Sequence, residues 1–229
     1  MRLTSALCVA ALAFQTLASP AFAQGFKFNQ PTEDDLKDQA AEQARQDRIY
    51  DQLSTPCRAQ LKDKKIMLII GEERSAGVIY AVQQNYGRHY QALNARLRSV
   101  GLRTYTPEQI RAQIAQAEID AYFKNDPDAA LSASRRLGAN FILRGFITRR
   151  ASRNPMIPVN QVAVTMDFTL TDTGGRVLSD TSASNSSYAG ADLAGMALTL
   201  VNEKADDVVA QLYSDYCRNA GFAGKAKAK

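Results

Sequence analysis

Near Gly138 the hydrophobic period of this chain changes from that of a helix to that of a strand, and that change limits the folds open to it. Before it, Tyr86, Tyr90, Leu93, Leu97 and Val100 recur at helical spacing. After it, Val162, Val164, Met166, Phe168 and Leu170 alternate with Ala163, Thr165, Asp167 and Thr169, the signature of a strand with one buried face. A chain with both patterns buries its stripes most economically by laying helices on a sheet.

The remaining elements follow from their punctuation. Thr32, followed by Glu33, Asp34 and Asp35, starts a helix that could run to Leu53, with carboxylates at the positive end of its dipole. Its apolar stripe (Leu36, Ala40, Ala44) is thin, which predicts a solvated extension that folding can do without. Ile66 to Ile70 is a continuous apolar run of strand length, and residues 71–77 read as a charged loop after it. Gly101 closes the first amphipathic helix, and Leu102 to Tyr105 is a short second strand. Thr106 with Pro107 opens a second helix lined by Ile110, Ile114, Ala117 and Ala121. Asp126-Pro127 opens a third, which Gly138 ends. Phe141 to Arg150 is a strand, and Thr173-Gly174-Gly175 turns the Val162 strand into Arg176 to Thr181. Asp192 starts a long last helix with Leu193, Met196, Ala197, Leu200, Val201, Val208 and Leu212 on one side. The expected class is α/β: a mixed sheet with a βαβ start and an antiparallel three-strand meander, and helices packed mainly on one face.

The first residues read as a targeting segment. Arg2, the apolar stretch Leu3 to Leu17 and the Ala21-Phe22-Ala23 signal predict a secretory signal peptide cut before Gln24. Cys8 is a poor lipid-attachment site, because Leu7 stands where a small residue is usual. The expected organisation is a signal peptide over 1–23, a flexible lead-in and N-terminal helix over 24–56, one α/β domain over 57–217 and a disordered basic tail over 218–229. No later apolar run reaches the ~18 residues that span a bilayer. The formal charge is +5, from 28 Lys+Arg against 23 Asp+Glu, but Lys225, Lys227 and Lys229 supply much of it. Between Gln24 and Ala220 the charges nearly balance, which argues against a nucleic-acid partner. In an exported chain the remaining pair, Cys57 and Cys217, reads as one disulfide.

Chemistry-bearing motifs are sparse. The stretch from Gly71 to Gly77 lacks both phosphate-binding glycine patterns. With His89 as the single histidine, nucleophilic triads would depend on it alone and a multi-His metal site is impossible. No catalytic residue, cofactor or metal is expected. Arg144, Arg149, Arg150 and Arg153 cluster on and after the first meander strand, with Arg144 and Arg150 on one face and Arg149 on the other. Met156 and Ile157 sit at a Pro-bounded tip. Arg144, Arg150, Met156 and Ile157 are therefore the candidate partner contacts, because arginine and exposed apolar tips are common at interfaces.

The segment from Leu137 to Gly145 resembles an "LGA-(D/N)-hydrophobic-G" step into a strand. Val162 to Leu170 with Asp172, Gly174, Arg176, Val177 and Leu178 resembles an alternating strand followed by a D-x-(T)G-x-(V/I)L turn. Together they are similar to the domain shared by the curli secretion component CsgG, the penicillin-binding-protein activator LpoB and the middle domain of flagellar FlgT, with the TolB N-terminal domain more distant. The resemblance covers roughly Lys65 to Tyr216. It implies a non-enzymatic envelope module that docks to other proteins. The expected departures are no lipid anchor, no extra pair of alternating apolar strands that would build a pore, and an N-terminal helix where FlgT has flanking domains. The resulting expectation is a periplasmic docking or accessory protein for envelope or surface-appendage assembly. The alternative is a periplasmic small-ligand or glycan-binding module using residues 71–84.

Overall fold

The computed structural model describes residues 31–75, 78–124, 126–153, 156, 159–189 and 193–219. The expected signal peptide, Ile157 and the tail beyond Asn219 lie outside the described residues. The chain divides into two compact units, Met1–Gln39 and Ala40–Lys229. Helix α1 (Glu33–Leu53) begins in the first, where Thr32 and Asp35 cap each other, and the short helix α2 (Arg58–Leu61) lies in the second.

The second unit carries a six-stranded mixed sheet. Its strands are β1 (Lys65–Ser75), β2 (Val78–Tyr80), β3 (Arg103–Thr104), β4 (Phe141–Arg153), β5 (Asn160–Asp172) and β6 (Val177–Ala189). The order is β2-β1-β4-β5-β6, with β3 also on β1. β1 runs parallel to β3 and β4, and β4-β5-β6 is an antiparallel meander. The mixed α/β class, parallel start and meander are as expected from the period change.

Two hydrophobic layers hold the sheet. One joins Leu68 and Ile70, Leu143 and Ile147, and the alternating β5 set to α3 (Gly87–Ser99) and α7 (Leu193–Asn219). The five apolar β5 residues from Val162 to Leu170 are all buried here, each contributing about 1.5–3 kcal/mol by leaving water. Gly145 leaves the space that the Phe168 ring occupies, since a Cβ there would stand 2.5 Å from it. The second layer joins Met67, Ile69 and Ile142 to three short helices, α4 (Pro107–Gln113), α5 (Gln116–Phe123) and α6 (Pro127–Leu137). It covers β1 and the first residues of β4 on the opposite face. The long helices thus share one face, and the short ones partly cover the other.

The local signals place most boundaries. Thr106 and Gln109 form a capping box at α4, and the Asp126 carboxylate accepts from the Asp128 and Ala129 N–H groups at α6. Gly138 ends α6 at φ 66°, a conformation glycine adopts freely. Three readings are corrected. The second helix breaks at Ile114, which is extended, and the Glu118 carboxylate accepts from the Ala115 N–H at 3.0 Å to start α5. The break resets the phase, so Ile119, Tyr122 and Phe123 are buried and Ala117 is exposed. The charged residues 71–75 continue β1 instead of forming a loop, because they pair with β2 and β4. The Ser-rich residues 182–189 extend β6, because β5 offers them a full ladder.

α1 also departs from expectation. Its second half belongs to the same unit as the sheet. Ile49 is 8% exposed and Leu53 packs against the core. Arg45 donates to the Asp207 carboxylate at 2.8 Å, and the Gln52 side chain donates to Gln211.

Candidate docking face

The β4-β5 register runs without a shift, so the side chains on its two faces follow from the pairing. Arg144 stands opposite Thr169, Phe146 opposite Asp167, Thr148 opposite Thr165 and Arg150 opposite Ala163. All point away from α3 and α7, and β6 adds Asp180, Ser182 and Ser184 to the same face. The covering helices stop at Tyr122 and Phe123 of α5. Gly71 makes this limit possible: the Phe123 ring lies where a Gly71 Cβ would be, 2.6 Å away. The Arg144 guanidinium carbon lies 5.3 Å from the centre of the Tyr122 ring, within cation-π range. Burial raises the Tyr122 phenol above its usual pKa, against the pull of Arg144.

Where the helical cover ends, a cavity of about 240 Å³ opens. It is lined by Ile79, Phe123, Arg144, Phe146, Asp167 and Thr169. Arg150 and Arg153 lie exposed further along β4. Among the described residues, no ion pair joins Arg144, Arg150 or Arg153 to a carboxylate. Met156 is 89% exposed, while its sequence partner Ile157 lies outside the described residues. Three of the four candidate contacts are thus located. Arg144 and Arg150 share a face, as their spacing requires.

Arg149, on the other face, forms an ion pair with Glu72, which is 5% exposed. Glu72 falls in the stretch that the sequence alone predicts to be a charged loop. It continues the i, i+2 phase of Ile66, Leu68 and Ile70, and that phase was the available signal for its burial. His89 stands near this pair, with its ring 6.1 Å from that of Tyr86. Its Nδ1 is buried without a hydrogen-bond partner among the described residues. Desolvation lowers the His89 pKa below 6.5; Glu72 opposes the shift and Arg149 adds to it. A cavity of about 510 Å³ lies beside it, lined by Gln84, Asn85, Arg88, His89, Gln91 and Leu198 among others.

At the β1 edge, the buried Gln83 amide takes the place of a neighbouring strand. It accepts from the Ile70 N–H at 3.0 Å and donates to the Ile70 carbonyl at 2.9 Å. Cys57 and Cys217 are disulfide-bonded, with Cα atoms 5.7 Å apart. Among the described residues, no group of three His, Cys, Asp or Glu could hold a metal ion, and no helix is long and apolar enough to cross a membrane.

No family model and no curated protein matches the sequence. Solved structures with similar chain paths include a minor lipoprotein from Acinetobacter baumannii, at 14% identity and a TM-score of 0.39, over 68% of this chain and 94% of that one. The PelC dodecamer from Paraburkholderia phytofirmans is similar at 17% identity and 0.39, over 67% and 89%. The LpoB C-terminal domain from Salmonella enterica is similar at 14% identity and 0.36, over 57% and 93%.

Proposed function

We propose that the chain is a non-enzymatic docking protein of the bacterial envelope, which captures a partner protein on the uncovered half of its sheet and assists envelope or surface-appendage assembly. The observation that carries this reading is that Arg144 and Arg150, on the β4 face turned away from α3 and α7, form no ion pair with a carboxylate among the described residues, beside a hairpin end where Met156 is 89% exposed. Arginine and methionine are enriched at protein interfaces, and a side chain this exposed contributes little to its own fold. An exported location is supported by the signal-like pattern over 1–23 and by the Cys57–Cys217 disulfide, which persists in oxidising compartments.

The test is crosslinking and pull-down from the periplasm with Arg150→Glu, and with Met156→Asp combined with Ile157→Asp. Recovery of the partner should fall by about tenfold or more in each. Unchanged recovery in both variants, with normal melting curves, would place docking elsewhere.

A second reading, a small-ligand or glycan-binding module, is favoured by the polar lining of the cavity beside His89. Saturable binding of a simple saccharide, lost in Asn85→Ala and Gln91→Ala, would support it over docking.

A further inference from the structure

The cavity at the edge of the α5 cover has three different kinds of wall. Ile79, Phe123 and Phe146 are apolar, Arg144 is a cation, and Asp167 with Thr169 supplies acceptors. The Arg144 guanidinium lies over the Tyr122 ring, and it forms no ion pair with a carboxylate among the described residues. Asp167 is its diagonal neighbour across the β4-β5 ladder, so the two Cα atoms are separated by about 7–8 Å. Among the described residues no ion pair joins them. A cation and an anion at diagonal positions on the sheet floor of a partly apolar pocket match a ligand that carries the complementary groups. That ligand has a carboxylate, an apolar side chain and an N–H donor on one carbon. The last residue of a polypeptide is such a unit.

We propose that this cavity binds the C-terminal residue of a partner polypeptide whose last side chain is apolar. The terminal carboxylate accepts from the Arg144 guanidinium, in the paired geometry that arginine favours. The terminal N–H donates to the Asp167 carboxylate. The apolar side chain enters between Phe123 and Phe146. A chain end fits better than a free small molecule for two reasons. At about 240 Å³ the space is smaller than the ~300–1,000 Å³ of small-molecule pockets but large enough for one side chain. It also opens onto the Thr165, Thr148 and Ser182 surface, where preceding residues can lie. This inference rests on the docking reading and names the chemistry of the partner.

The test uses the folded protein and three probes: acetyl-Ala-Ala-Leu with a free carboxylate, its C-terminal amide, and free leucine. Binding is followed by NMR of the amide groups of Arg144, Phe146 and Asp167. The free-acid peptide should give saturable shifts at these residues and bind about tenfold or more tightly than the other two. Arg144→Gln should abolish that preference while leaving the melting temperature unchanged. Phe146→Ala should weaken the peptide and the amide alike. Arg144→Lys, which keeps the charge, covers the case in which Arg144→Gln fails to fold, and should retain only part of the preference. Equal binding of acid and amide, or of peptide and free leucine, would overturn the proposal. So would absent peptide binding in a protein whose partner capture still depends on Arg150 and Met156, and in that case the docking reading would survive. Peptide binding that persists when partner capture is insensitive to Arg150 and Met156 would support the site and remove the docking reading.

Discussion

His89 has an electrostatic consequence that its sequence position conceals. It lies on the flank of α3, close to the ion pair of the half-buried Arg149 with the buried Glu72. Burial lowers its pKa, so the fold favours the neutral imidazole. The unfolded chain takes up the proton near pH 6.5, before the folded one does. Stability is therefore full above that pH and falls as pH drops below it, with a slope of at most about 1.4 kcal/mol per pH unit. The depressed carboxylates Glu108 and Glu118 start from 4.5 and act only at lower pH, which leaves a window below 6.5 dominated by His89. Urea unfolding between pH 7.5 and 5 should show a declining midpoint in the native sequence and a flatter one in His89→Gln. An equal decline in both would assign the effect to other groups.

At the scale of elements, α1 is the helix whose role the sequence understates. Ala40 and Ala44 form a thin stripe, yet the contribution comes from Ile49, Leu53 and the Arg45–Asp207 pair. Ile49→Ala should cost roughly 2–4 kcal/mol, the usual range for truncating a buried isoleucine. Deleting residues 24–53 should lower the melting temperature, whereas deleting 24–39 should leave the larger unit's transition in place. Calorimetry of the two truncations separates these outcomes. An unchanged transition after the longer deletion would restore the expectation of a dispensable helix. β1 and β6 differ from their sequence reading for a related reason. The residues at 71–75 and 182–189 lack an apolar alternation, and the neighbouring ladders hold them extended.

At the scale of the whole molecule, the Cys57–Cys217 bond closes a separation of 160 residues across the larger unit. The Tyr213 hydroxyl donates to the Thr55 carbonyl at 2.5 Å beside it, and both cysteines are buried. Loop closure gives about 5 kcal/mol as an upper figure for so long a loop, and native disulfides contribute roughly 2–5 kcal/mol. Guanidinium unfolding of the Cys57→Ala, Cys217→Ala protein should show a loss in that range. Labelling of both thiols in the oxidised native protein would show that they are free. The period change near Gly138, the α3 face from Tyr86 to Val100, the capping at Thr106 and Asp126, and the β5 alternation were all readable, because each is a local property of consecutive residues. The same alternation placed Arg144 and Arg150 on one face. The residues that complete the cavity were not readable: Ile79, Phe123 and Phe146 come from β2, α5 and β4. Their meeting depends on the phase reset at Ile114 and on the ring seated over Gly71. Spacing along the chain specifies which side of an element a residue faces. Only packing between elements specifies what it faces, and that decided the burial of Glu72, the docking of α1 and the end of the helical cover at Arg144.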